Sequence, residues 1–149
     1  MYKQILVPTD GSELSAAAID QALAFAKDVG ASVTFFTATS PAPVYGITSD
    51  QLAGGYEAFA RIAREEGVRR LADAEARAAA VGVPCQTRMA ESAQTWQAII
   101  HAASEVGADL IAMASHGRRG LSAVVLGSET TKVLTHSTIP VLVFRQPPA

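Results

Sequence analysis

Two short segments of the chain gather polar, flexible and charged residues. Val7-Pro8-Thr9-Asp10-Gly11-Ser12 puts a carboxylate beside two hydroxyls and a glycine. Further on, Ala114-Ser115-His116-Gly117-Arg118-Arg119-Gly120 precedes Gly127-Ser128. Glycines let a backbone approach a ligand closely and expose its N–H groups. A helix beginning at Ser128 would add unpaired donors and a dipole that favours negative charge. The hydroxyls of Ser115 and Ser128, with Arg118 and Arg119, would complete an anion site. Spacing alone leaves open the plainer reading, a glycine-containing loop with solvated arginines. Asp10 suits ribose hydroxyls or an exocyclic amine, and it equally suits an Asp-Gly-Ser turn before a helix.

Other chemistries find less support. His101, His116 and His136 share no metal-ligand spacing with one another or with Cys85, so no zinc site is expected. There is no G-x-S-x-G elbow and no GxxxxGK[ST] loop, so neither an α/β-hydrolase nor a P-loop ATPase is supported. The loop after Ala114 offers no evident general base for attack on a γ-phosphate, so binding is expected, with slow or no hydrolysis.

These segments need a scaffold. Four apolar, β-rich runs cover Tyr2–Pro8, Ser32–Ala38, Asp109–Ala114 and Pro140–Phe144, with a weaker one at Val83–Met89. They are nearly continuous rather than alternating, as befits strands buried on both faces of a parallel sheet. Between them, apolar stripes predict helices: Ala18, Ile19, Ala22, Leu23, Ala26 and Val29; Leu71, Ala74, Ala78 and Val81; Trp96, Ile99, Ala103 and Val106. Gly30 and Gly107 terminate the first and third. A last helix is expected from Ser128, acting as its own N-cap, to about Thr135. Ser40–Gly55 reads as a mobile surface loop. Strand and helix in alternation mean an open α/β fold, here one domain spanning residues 1–149. In such sheets ligands bind beyond the carboxyl ends of the strands, where strand order reverses. Asp10 and the Ala114–Ser128 segment both fall at strand ends, and that convergence favours a nucleotide.

Composition agrees. With 49% apolar and 17% charged residues, a chain of this length buries about two-thirds of its unfolded surface. A net charge of −2 argues against a nucleic-acid partner, and no run is apolar enough to span a membrane. The N-terminus lacks a signal-peptide layout and Cys85 stands alone, so a reducing cytoplasm is expected.

The segments ILVPTDGSELSAAAIDQALAFA and ADLIAMASHGRRGLSAVVLGSETTKVLTHSTIPVLVF resemble the universal stress protein family. The resemblance implies a doubly wound five-stranded parallel sheet, order 3-2-1-4-5, with helices on both faces, usually as a homodimer. It also implies ATP or another adenine nucleotide as ligand. Nucleotide-binding members carry G-x2-G-x9-G-[ST], which here reads Ala114-x2-Gly117-x9-Gly127-Ser128, with alanine at the first glycine. Carried across by position, Pro8, Thr9 and Asp10 meet adenine and ribose, and Ala38 meets the base edge. Met113 and Ala114 are counted among the binding residues, and Ser115 and His116 would stand beside the phosphates. Gly117, Gly127, Ser128 and the backbone of Glu129 would hold phosphates, with Mg²⁺ bridging their oxygens if ATP is present. Arg118 would add positive charge, and Gly120 is counted among the binding residues without an assigned contact. A flavin is not expected, because the central-strand loops lack flanking aromatics. A receiver domain fails for want of an aspartate after the third strand and a lysine after the fifth. The edge strand Pro140–Phe144 is the expected dimer contact.

Overall fold

A computed structural model describes residues 1–41, 49–116 and 126–145, with residues 49–54 described for their backbone alone. The elements run β1 (Gln4–Pro8), α1 (Glu13–Val29), β2 (Ser32–Thr39), α2 (Ser49–Val81), β3 (Cys85–Glu91), α3 (Thr95–Glu105), β4 (Leu110–Ala114), α4 (Ser128–His136) and β5 (Val141–Phe144). All neighbours pair in parallel, in the order β3-β2-β1-β4-β5. The register sets Ile5 opposite Val33 on one side and Leu110 on the other.

Alternation along the strands divides the core in two. Ile5, Val7, Val33, Phe35, Leu110 and Ala112 pack with α1 and α2. Leu6, Phe36, Ile111 and Met113 pack with Ile99 and Ala103 of α3 and Val133 of α4. Because both faces are covered, the central strands are largely apolar, and the buried Thr34 and Thr37 of β2 are hydrogen-bonded. Order reverses between β1 and β4, so the crevice where a ligand would sit opens beyond Pro8 and Ala114.

Local chemistry sets the helix ends. Ser12 Oγ accepts the N–H of Ser15 at 3.1 Å and caps α1. Gly30 closes that helix at φ 73°, a left-handed conformation that suits glycine. The guanidinium of Arg77, on α2, bridges to Asp20 of α1 at 2.8 Å and to Asp73 at 3.0 Å.

Several expectations need correction. Ser128 is the first residue of α4 rather than its cap; Gly127 occupies the cap position and has no side chain with which to cap the first turn. Ser49–Gly55 is helical, so the expected loop ends before Ser49, and residues 42–48 lie outside the described residues. The third strand begins and ends two residues later than expected, because it is an edge strand with mixed exposure. Val29 and Val81 are exposed rather than on the apolar stripes, each standing at the last turn of its helix. Trp96 is half-buried, its ring 4.4 Å from that of His136. Among the described residues, no helix is long and apolar enough to cross a membrane.

Candidate functional site

Thr9 begins the turn that leaves β1, and it is buried. Its N–H donates to Phe36 O at 2.8 Å, and its carbonyl accepts from Thr37 Oγ1 at 2.8 Å. Thr9 Oγ1 accepts from Ser15 Oγ at 2.8 Å and from Gly11 N–H at 3.2 Å. Gly11 has φ 79°, where a side chain would be strained. Asp10 Oδ1 accepts Ser12 N–H at 2.9 Å, an Asx turn that fixes the carboxylate at the end of β1.

The end of β4 is tied just as closely to the start of α4. Gly127 N–H donates to Ser115 O at 2.8 Å, and Thr130 Oγ1 donates to Ala114 O at 3.0 Å. Ser115 N–H donates to Phe144 O at 3.0 Å, anchoring the same turn to β5. Ser115 Oγ lies 3.2 Å from His116 Nδ1, and both side chains are buried. The first-turn N–H groups at Ser128 and Glu129 have no carbonyl one turn earlier within their helix. They give this end of the crevice donors and a positive dipole.

Between these anchors lies a cleft of about 680 Å³, within the range of small-molecule sites. Pro8, Thr9, Asp10, Ala38, Met113, Ala114, His116, Gly127, Ser128 and Glu129 all line it. Ser115 lies beneath, in the hydrogen-bonded turn, and is not part of the lining. Gly117, Arg118 and Gly120 lie outside the described residues. Ala114 is the last residue of β4, paired with Phe144, and no residue other than glycine has positive φ among those described. The alanine at the first motif position therefore carries no backbone strain.

One wall was not anticipated. Phe59, Ala63, Glu66 and Arg70 line the cleft from α2. Their spacing (i, i+4, i+7, i+11) places them on one helical face. Arg70 pairs with Glu66 at 2.7 Å and donates to Thr37 Oγ1 at 3.3 Å, while its buried Nε has no hydrogen-bond partner among the described residues. Ser15, Phe36, Thr39, Ser40, Thr95, Ile99 and Thr130 complete the lining. Among the described residues no three His, Cys, Asp or Glu side chains come together to hold a metal.

The sequence model of the universal stress protein family matches residues 1–145. The chain belongs to the universal stress protein family. Universal stress protein MJ0531 of Methanocaldococcus jannaschii is 33% identical over 147 residues, covering 99% of this chain and 84% of that relative. The solved structure of the hypothetical protein MJ0577 matches with a TM-score of 0.85 and 26% identity, covering 100% of this chain and 99% of the other. A solved universal stress protein in complex with cAMP matches with a TM-score of 0.71 and 28% identity, covering 98% and 99%. Of the motif residues, Ala114, Gly127 and Ser128 are described, and all three line the crevice at the β1/β4 reversal.

Proposed function

We propose that this universal stress protein is a stress-response module that binds an adenine nucleotide in the cleft beyond β1 and β4. The observation that carries the reading is convergence. Pro8–Asp10, Ala38, Met113–Ala114 and Gly127–Glu129 come from distant parts of the chain and line one cleft of about 680 Å³. The family likeness to a protein in complex with cAMP supports the same class of ligand.

In this reading the base lies toward Ala38, and Asp10 accepts hydrogen bonds from ribose hydroxyls. Phosphates take the N–H groups of Ser128 and Glu129 at the start of α4. Mg²⁺, where present, would be held by phosphate oxygens. Asp10 accepts Ser12 N–H and Glu129 accepts Trp96 N–H, and in this reading both carboxylates serve binding and packing rather than activation of water. The module therefore binds ATP or a related nucleotide with slow turnover at most. It acts as one domain across residues 1–149, in the cytoplasm, as a homodimer joined through the free edge of β5.

Titration calorimetry of nucleotide-free protein with Mg·ATP and with AMP tests this reading. Binding weakened by Asp10→Ala supports it. No heat with either nucleotide at millimolar concentration overturns it in favour of a scaffold role, the reading that Ala114 in place of the motif glycine would favour.

A further inference from the structure

Two helix N-termini meet at one carboxylate. Glu129 Oε2 accepts the N–H of Trp96 at 2.9 Å, and Trp96 stands in the first turn of α3. Glu129 itself stands in the first turn of α4. Gln94, the cap residue of α3, makes no side-chain bond to its own helix. Thr95 and Glu129 both line the cleft. The donor that a phosphate would find at the start of α3 is thus taken by a side chain of the protein. That carboxylate also neutralises part of the positive end of α4. Lys132 Nζ, 3.9 Å from Glu129 Oε1 and half exposed, screens some of the charge.

We propose that Glu129 is a specificity-determining residue that biases the cleft toward adenine nucleotides with one phosphate and against di- and triphosphates. The proposal rests on the nucleotide reading above. Its reason is electrostatic. A phosphate held by the N–H groups of Ser128 and Glu129 lies beside the carboxylate of that same residue, and each additional phosphate adds negative charge near it. The repulsion grows with ligand charge, so a carboxylate here penalises ATP more than AMP.

The test is a titration series of AMP, ADP and ATP in metal-free buffer, where charge rises with each phosphate. It uses the full chain, Glu129→Gln, Glu129→Met and Lys132→Gln. The glutamine keeps an acceptor for Trp96 N–H and removes only the charge. Relative to wild type, Glu129→Gln lowers the ratio of ATP to AMP dissociation constants by about threefold to tenfold. Lys132→Gln raises that ratio by removing both the screen and its own attraction for phosphate, so Glu129→Met, which also lacks the carboxylate, carries the test should Glu129→Gln fail to fold. Both nucleotides binding with a ratio unchanged in the variants overturns this inference and leaves the nucleotide reading standing. Neither nucleotide binding the wild-type protein overturns both.

Discussion

Glu129 Oε2 lies 2.9 Å from the N–H of Trp96, so a residue of α4 caps the start of α3. The contact joins positions 33 residues apart and substitutes for the side-chain cap that Gln94 does not make. Glu129→Ala is expected to destabilise the protein by about 1 kcal/mol, the usual worth of an N-cap. Glu129→Gln should recover most of that loss, because its amide oxygen accepts the same bond. Urea unfolding of the two variants measures the difference. An alanine variant as stable as wild type would mean that water replaces the cap at no cost.

Ala114→Gly separates strain from contact. Ala114 has the extended backbone of β4 and hydrogen-bonded neighbours, so glycine relieves no strain there. It should instead cost up to about 1 kcal/mol in added unfolded-state freedom. Nucleotide affinity should change by less than about threefold if the methyl group clears the ligand, a difference below about 0.7 kcal/mol. Thermal melting and calorimetry on the same sample read both quantities. A tenfold gain in affinity would show that the methyl group crowds the phosphates.

Asp10 has a local partner and a proposed ligand, and two substitutions distinguish them. Asp10→Asn retains a side-chain oxygen for Ser12 N–H, whereas Asp10→Ala loses the Asx turn. The alanine variant should lose about tenfold or more in AMP affinity, equivalent to about 1.4 kcal/mol or above. The asparagine variant should fall between it and wild type, with a melting temperature near that of wild type. Equal affinity in all three proteins would remove Asp10 from the site.

The β1 and β4 halves of the cleft were legible because their signals are local. Pro8–Asp10 follow a continuous apolar run, and Gly127-Ser128 precede an amphipathic helix. The α2 wall was hidden by a weaker signal. In that helix the buried residues described are Gly67, Leu71, Ala74 and Ala78, all in the C-terminal half, so its earlier turns lack the core stripe that announces a helix. Gly54 and Gly55 added a loop-like composition there. The spacing of Phe59, Ala63, Glu66 and Arg70 was available, but only the folded cleft gives that mixed face a reason. The Glu129 side chain was beyond any local pattern, since its acceptor role depends on how α3 packs beside α4.

Cys85 opens β3, partly buried against the core beneath α1 and α2. Burial pushes its thiol pKa up, and the nearby Glu75 carboxylate pushes in the same direction. The native state therefore holds this proton more tightly than the unfolded chain does. The associated stability is fully present below the ordinary thiol pKa and is lost as pH rises through the native one. Alkylation of the native protein should be slow at neutral pH and rise with pH later than in the denatured chain. Overlapping pH profiles for the two states would contradict the shift.

The free edge of β5 offers the last prediction. Among the described residues Val141 to Phe144 pair with β4 alone, and all four remain half-buried rather than enclosed. Val141 packs toward α3 and α4, while Leu142 and Phe144 pack toward α1 and α2. Val143 belongs to neither set of core contacts, so it can be changed with little damage to the fold. An unpaired edge carrying branched side chains invites a second copy, and a lysine there opposes association. Sedimentation should give a dimer for the wild-type chain at micromolar concentration and a monomer for Val143→Lys, with similar melting temperatures. A wild-type monomer would discard the homodimer. Two dimers would move the interface away from β5.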